Sequence, residues 1–185
     1  LYLSSGRLRT VQLDGTGARD LPVDLTWQPA VPPGSTVIHA GALWDGVRAE
    51  LQRNVEITLT GGRIASVRPM TPGATEAAKT SGARLVDATG LTVMPGLWDA
   101  HVHPRAHDMT AQWWAVQLAY GITDVISNGA STYQSVMQKE ALATGQLVGP
   151  RLFAGAIFDG PRPFYGHHRA VKDTAVLRIE LDKAR

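Results

Sequence analysis

The first half of the chain alternates apolar and polar positions in the manner of β-strands. Val55, Ile57 and Leu59 are separated by polar neighbours, which is the spacing that places apolar side chains on one face of a strand. The runs NVEITLT and RIASVRP flank Gly61–Gly62, and two glycines between such runs predict a tight hairpin. Residues 35–95 are therefore predicted to form a β region.

Other segments of the first half give weaker patterns. The run RLVDATGLTVMP predicts a pair of strands around Thr89–Gly90, whereas residues 70–83 are small, polar and aperiodic and predict a loop. Residues 1–30 predict short strands around a turn at 14–17, followed by the proline-rich stretch QPAVPPG. Because proline interrupts strand pairing, we expect residues 1–30 and 35–95 to be separate units.

Strands alternate with helices in the second half. The runs LWDAHVH, ITDVIS and PRLFAGAIF predict strands, and helical patterns follow them in DMTAQWWAVQLAYG, STYQSVMQKEALATG and DTAVLRIELDKAR. Such alternation within about 90 residues indicates parallel βαβ units. Residues 96–185 are therefore predicted to be an α/β region whose apolar strand faces, including Val125 and Leu152, point inward.

Sequence signals also predict the ends and packed faces of these helices. Ser131 and Gln134 have the spacing of a capping box, Asp173 is predicted to be an N-cap, and Gly121 and Gly145 are predicted to end two helices. Four apolar residues at helical spacing predict the packed face of the first helix: Met109, Trp113, Val116 and Tyr120. Trp114, the neighbour of Trp113, is also predicted to be a packing residue.

Composition limits the classes of function. The chain has 185 residues, of which 44% are hydrophobic, and this is ordinary for a globular protein. No run approaches the roughly 18 apolar residues of a membrane span, and the basic residues behind a net charge of +2 are scattered. We therefore expect neither a membrane nor a nucleic-acid partner. Cysteine is absent, so any bound metal must be held by His and carboxylate groups, and the compartment stays open.

Three polar side chains share one face of the strand LWDAHVH. Asp99, His101 and His103 alternate with Ala100 and Val102, and alternate side chains of a strand point the same way. Burying them without compensation is costly, and a divalent metal compensates imidazoles well. The histidines also lie at the carboxyl end of the strand, where parallel barrels place their active sites. An H-x-H motif by itself has a structural alternative.

The longer run DATGLTVMPGLWDAHVHP closely resembles the start of the barrel in the amidohydrolase superfamily of metal-dependent hydrolases. ITLTGGRIASVRP resembles the hairpin of its small β-sandwich, and GITDVISNGA and LVGPRLFAGAIF resemble its second and third barrel strands. The resemblance implies an α/β fold: the first βα units of an incomplete (β/α)₈ barrel at 96–185, preceded by part of a β-sandwich at 35–95. Residues 1–30 resemble the tail of a TolB-like β-propeller.

The same resemblance implies the roles of particular residues. His101 and His103 would be metal ligands, and Asp99 would be an acid that supports them. The metal would be one or two divalent ions, with zinc favoured and Mn²⁺ or Fe²⁺ as alternatives. The remaining ligands, a carboxylated Lys or a Glu, two His and an Asp, would lie beyond Arg185, and no catalytic residue is assigned within the chain. Ser127 and Asn128 stand where relatives often carry an acid.

Four other histidines have simpler interpretations. His167 and His168 follow the third strand at the end of the barrel that would hold the metal, so they are either substrate contacts or a solvated loop pair. His107 is interpreted as a surface residue. His39 lies in a strand with no acidic or imidazole partner nearby in the sequence and is interpreted as a structural histidine.

Together these features predict an enzyme that hydrolyses an amide, peptide or cyclic amide bond of a small-molecule or peptide substrate through a metal-activated water. The alternatives are a non-catalytic β-rich binding or scaffold segment with a vestigial metal site, and a protein that keeps the fold and metal but not hydrolysis. About 90 residues supply roughly three of eight barrel units. We therefore expect a piece that is inactive alone and is completed by the remainder of its own chain or by another copy.

Overall fold

The computed structural model describes residues 1–4, 7–24, 26, 28–104, 110–164 and 168–184. The chain divides into two compact units, one of Leu1–Pro29 with Trp98–Arg185 and one of Ala30–Leu97. The strands are β1 (Tyr2–Ser4), β2 (Arg7–Thr10), β3 (Arg19–Asp20), β4 (Ser35–Leu43), β5 (Gln52–Thr60), β6 (Arg63–Pro69), β7 (Arg84–Val93), β8 (Leu97–Val102), β9 (Ile122–Ser127), β10 (Arg151–Ala154), β11 (Phe158–Asp159) and β12 (Arg169–Ala170). The helices are α1 (Ala74–Thr80), α2 (Thr110–Ala119), α3 (Thr132–Ala143) and α4 (Thr174–Ala184).

The unit Ala30–Leu97 contains a four-stranded sheet in the order β6-β5-β4-β7. Strands β4, β5 and β6 are antiparallel neighbours, and β7 pairs with β4 in parallel. The predicted hairpin between β5 and β6 is confirmed, because Gly61 and Gly62 have φ angles of 58° and 72°, as a tight turn with two left-handed residues requires. Leu43, Val55 and Ile57 form the apolar core of this sheet.

Two predictions for this unit are wrong. Residues 70–83 contain helix α1, whose buried side chains, Ala74 and Ala78, are too small to give an apolar pattern although alanine favours helix. The run around Thr89–Gly90 is part of one strand, β7, rather than a strand pair. A Cβ on Gly41 would lie 2.1 Å from the Thr89 carbonyl oxygen, so the glycine lets β7 pass close to β4 at a bulge.

The described residues of the unit Leu1–Pro29 with Trp98–Arg185 form three sheets. The predicted strands of the first segment are confirmed as an antiparallel sheet β1-β2-β3, with the turn held by Asp14, which accepts hydrogen bonds from the Thr16 N–H and hydroxyl. Its assignment to a preceding propeller stays a prediction. The other sheets have the orders β10-β9-β8 and β11-β12, and β9 is parallel to β10.

The core beside β8, β9 and β10 is built on a tryptophan. Trp114 of α2 is fully buried and packs with Val102, Val125 and Leu152. The prediction that Val125 and Leu152 point inward into an open barrel is therefore wrong, because both lie in the core that contains Trp114. Mixed α/β structure is shown, whereas the incomplete barrel and the β-sandwich stay predictions.

The predicted face of α2 is also wrong in part. Trp114 is buried as expected, but Val116 and Tyr120 are 49% and 77% exposed, and Met109 lies outside the described residues. Adjacent residues of a helix point about 100° apart, so Trp113 and Trp114 lie on different faces of α2. The spacing of the apolar residues alone favoured the face that carries Trp113.

The helix ends follow most of their predicted signals. Asp173 is confirmed as an N-cap, since its Oδ1 accepts the Val176 N–H at 2.9 Å. Gly121 and Gly145 follow the ends of α2 and α3 with φ angles of 79° and 76°. Ser131 is at the N-cap of α3, but its side chain makes no capping hydrogen bond, so the capping box is wrong. None of the described helices is long and apolar enough to span a bilayer.

Candidate metal centre

The two histidines lie at the end of β8 on the side away from the core. Val102 between them is buried with Trp114, so the alternation of the strand sends His101 and His103 to the other side, where both are exposed. Buried Pro104 follows directly. The hydrophobic core under β8 thus fixes the direction in which the imidazoles project.

The imidazoles converge on each other. The Nε2 atoms of His101 and His103 are 3.0 Å apart, and their rings are inclined by 69° with centroids 4.9 Å apart. Two nitrogens that bind one tetrahedral zinc ion at about 2.0–2.1 Å are about 3.3 Å from each other. The spacing of the pair therefore fits two ligands of a shared divalent ion.

A backbone carbonyl orients His103. Its Nδ1–H donates to the Gly129 carbonyl oxygen at 2.7 Å, which leaves the Nε2 lone pair to face His101. Imidazoles that bind metals through one nitrogen usually donate the other N–H in this way. A Cβ on Gly129 would lie 2.8 Å from the His103 ring and 2.7 Å from Ile157, so the contact needs glycine.

Two further polar groups support the backbone of the pair. Asp99 Oδ1 accepts the His101 backbone N–H at 3.2 Å, so this acid supports the main chain of a histidine. Asn128 Nδ2 donates to the Ala100 carbonyl oxygen at 3.0 Å, across from the end of β9. The neighbouring Ser127 is buried.

The described part of the chain brings two imidazoles together at this place, fewer groups than a bound metal needs. Within it, no group of three or more His, Cys, Asp or Glu side chains could hold a metal ion. The donor chemistry of the two imidazoles fits zinc and other divalent transition metals. The sequence analysis missed Gly129, although a glycine two residues after the predicted strand ITDVIS was a signal for close approach at that end.

The segment after β10 holds the next candidate residue. His168 Nδ1 lies 3.1 Å from Asp159 Oδ2, and Asp159 also accepts the N–H groups of Gly160 and Phe164. These hydrogen bonds, that of His168 first, lower the pKa of Asp159 to about 2. Sequence analysis missed Asp159, and His167 lies outside the described residues, as does His107.

This segment begins beside the histidine pair. Ile157, whose side chain limits the space at Gly129, precedes β11, and its carbonyl oxygen accepts the Arg169 N–H at 3.0 Å. The register of β11 and β12 pairs Phe158 with Arg169. The chain that carries His168 is therefore tied by backbone to a residue in the immediate surroundings of Gly129.

His39 lies in the other unit and has an acidic partner, which corrects only the expectation that none lies nearby. Glu56 is its register partner on β5, and His39 Nε2 is 3.1 Å from Glu56 Oε2. Thr75 is 3.3 Å from Nδ1 of the same ring. Burial opposes ionisation of Glu56, but hydrogen bonds from Arg68 and His39 outweigh it and hold the pKa of Glu56 below its ordinary value. His39 is thus a buried structural histidine with a paired carboxylate.

No family model matches the chain. Among curated proteins it is 35% identical over 95 residues to "Adenine deaminase 2" of Rhizobium etli, covering 51% of this chain and 15% of that protein. It is 29% identical over 113 residues to "Imidazolonepropionase" of Haloarcula marismortui, covering 60% of this chain and 27% of that protein. The chain therefore spans less than a third of either relative.

Among solved structures, a Xaa-Pro dipeptidase with methionine bound in its active site is similar at a TM-score of 0.61 and 25% identity, covering 81% of this chain and 45% of the other. These relatives and this neighbour are members of the amidohydrolase superfamily, hydrolases that act on C–N bonds. The chain thus has a mixed α/β fold that resembles amidohydrolases, and its predicted resemblance to that superfamily is supported.

Proposed function

We propose that the protein is a metal-dependent hydrolase that cleaves a C–N bond in an amide, peptide or cyclic amide. The observation that carries the proposal is the convergence of the His101 and His103 Nε2 atoms at 3.0 Å, with the His103 Nδ1–H donated to Gly129. The pair has the arrangement expected of two ligands of one divalent cation.

The residues of the chain would divide the work as follows. His101 and His103 would hold one or two divalent ions, zinc in first place, while the Gly129 carbonyl keeps the His103 ring in its ligating tautomer. Asp99 supports the backbone of His101. A bound metal of this kind polarises a carbonyl and lowers the pKa of a bound water. The remaining ligands would come from outside the described residues.

The proposed substrate is a small molecule or a peptide with an amide-like C–N bond. The names of the relatives specify adenine deamination, imidazolonepropionate chemistry and cleavage of Xaa-Pro dipeptides, three reactions at C–N bonds. We assign His168, held by Asp159, as a substrate contact, and His167 beside it as a second one. The remainder of the chain or another copy would complete the site.

The test removes the ligands from the complete protein. We expect His101→Ala, His103→Ala and the double variant to lose bound zinc, measured by elemental analysis after dialysis, and to lose hydrolysis of a panel of amides, dipeptides and cyclic amides. His39→Gln removes an imidazole from the other unit and should leave the metal content unchanged. Full metal content in the double variant would refute the proposal and favour a scaffold with a vestigial site.

A further inference from the structure

Two consecutive residues after the end of β9 make hydrogen bonds to the segment that carries the histidine pair. Asn128 donates its side-chain N–H to the carbonyl oxygen of Ala100, the residue directly before His101. Gly129 accepts the ring N–H of His103. We name Asn128 and Gly129 the β9 strap, and we propose that the strap positions both imidazoles for a divalent cation and sets its affinity. This inference rests on the proposed function.

The imidazoles need such support because they are exposed. A solvent-exposed histidine samples several rotamers and both neutral tautomers, and each must be restricted before two Nε2 lone pairs meet at one ion. The core fixes only the direction of the strand, through Val102. The strap adds the two restraints that the core cannot supply, on the main chain ahead of His101 and on the ring of His103.

Gly129 is required for its lack of a side chain. It does not adopt a left-handed backbone, so conformational freedom does not explain the glycine. The space for a Cβ is already taken by the His103 ring at 2.8 Å and by Ile157 at 2.7 Å. Any larger residue would push the His103 ring away from the carbonyl that fixes its tautomer.

The proposal requires the side-chain amide of Asn128. Replacing this amide by a carboxylate distinguishes a positioning role from an electrostatic role. The Ala100 carbonyl oxygen can only accept, so an amide N–H bonds to it and an ionised carboxylate does not. A nearby carboxylate would strengthen cation binding if charge were the deciding factor. The strap predicts the opposite, namely that Asn128→Asp weakens binding.

The experiment compares Asn128→Asp, Asn128→Ala and Gly129→Ala with the unchanged complete protein. We expect Zn²⁺ affinity, measured by chelator competition, to fall roughly tenfold in both Asn128 variants and roughly 10–100-fold in Gly129→Ala, the range for groups that orient metal ligands. Gly149→Ala is the matched control, since its Cβ would lie 2.5 Å from Trp114 Cβ, in the core rather than beside the histidines. It should lose stability and keep its affinity.

A second measurement needs no metal. In the metal-free protein, ¹⁵N chemical shifts of His103 should report the Nδ1–H tautomer in the unchanged protein and in Gly149→Ala, and a tautomer mixture in Gly129→Ala. Equal or tighter zinc binding by Asn128→Asp, or an unchanged tautomer in Gly129→Ala, would overturn the strap. If the unchanged protein binds no zinc while its tautomer is fixed as expected, the proposed function fails instead, and the strap fails only in its role toward a cation.

Discussion

His39 and Glu56 face each other across β4 and β5, with Nε2 and Oε2 3.1 Å apart and both side chains less than 5% exposed. The other carboxylate oxygen, Oε1, binds the Arg68 guanidinium at 2.6 and 2.8 Å. Both carboxylate oxygens are thereby satisfied, as a buried charge requires.

Removing the carboxylate should therefore destabilise the unit Ala30–Leu97. We expect Glu56→Gln to cost about 1–3 kcal/mol, because the buried His39 ring loses a charged acceptor. Chemical denaturation of the complete protein measures the change. Glu76→Gln breaks an exposed pair with Lys79 and should change stability by less than about 0.5 kcal/mol. Equal stability of the Glu56 and Glu76 variants would show that the buried pair contributes nothing.

The Glu56 carboxylate should also determine how the stability of this unit falls at acid pH. Because the pKa of Glu56 is lowered in the folded protein from 4.5, its contribution is fully present above the unfolded pKa and is lost as the pH falls through the folded pKa. Stability of the native protein should fall more steeply below about pH 4.5 than that of Glu56→Gln. Thermal unfolding across an acid pH series tests this, and parallel curves for the two proteins would contradict it.

The buried tryptophan should dominate the stability of the sheet β10-β9-β8. Trp114→Ala should cost about 3–5 kcal/mol because it opens a cavity against Val125 and Leu152. Trp113→Ala is the matched control, since that ring is only half-buried and should cost clearly less. Denaturant titration of both variants decides which tryptophan lies in the core, and a larger loss for Trp113→Ala would reverse the assignment.

The bulge glycine Gly41 and its neighbour across the sheet, Gly90, should differ sharply. Gly41→Ala should destabilise the protein by about 1–3 kcal/mol or more, because its Cβ would collide with the Thr89 carbonyl oxygen. Gly90→Ala meets nothing within 4 Å and should be tolerated. Soluble yield and melting temperature of the two variants compare them, and equal melting temperatures would argue against the close approach.

The Asp159–His168 pair should affect substrate rather than metal. The hydrogen bond from His168 is the largest cause that lowers the pKa of Asp159, to about 2, so the carboxylate beside the ring is ionised at neutral pH. Asp159→Asn weakens a charge-assisted hydrogen bond, and we expect KM to rise roughly tenfold with bound metal unchanged. Kinetics with the substrate found in the panel, alongside metal analysis, checks this. Lost metal in Asp159→Asn would move the residue into the metal site.

The features of the fold that depend on residues close in the sequence were predictable. The alternation at His101, Val102 and His103, the N-cap at Asp173 and the hairpin at Gly61–Gly62 are local, because each depends on residues within a few positions. The prediction of a loop in place of helix α1 was wrong for another local reason. Alanine favours helix, but its small side chain does not mark a buried face in the sequence pattern.

The remaining features depend on contacts across strands, which a single sequence does not reveal. Thr89 and Gly90 were taken for a turn, whereas they are among the extra residues that β7 places opposite Gly41 of β4, between the pairs Ala40–Ala88 and Ala42–Thr92. Glu56 becomes the partner of His39 only through the register of β4 and β5. Gly129 orients His103 through its carbonyl oxygen, and because every residue has such an oxygen, the sequence does not reveal this role. The glycine in the sequence indicates only that this position lacks a side chain.

The short strand β8 contributes both to a hydrophobic core and to the candidate metal centre. Val102 faces the core built on Trp114, and its two neighbours on the chain face outward as the proposed ligand pair. Because Val102 packs on Trp114, melting of this core would unfold β8, and a cation held as we propose would be released in the same transition. Metal retention during a temperature ramp would thus report on the packing of a tryptophan that no solvent reaches.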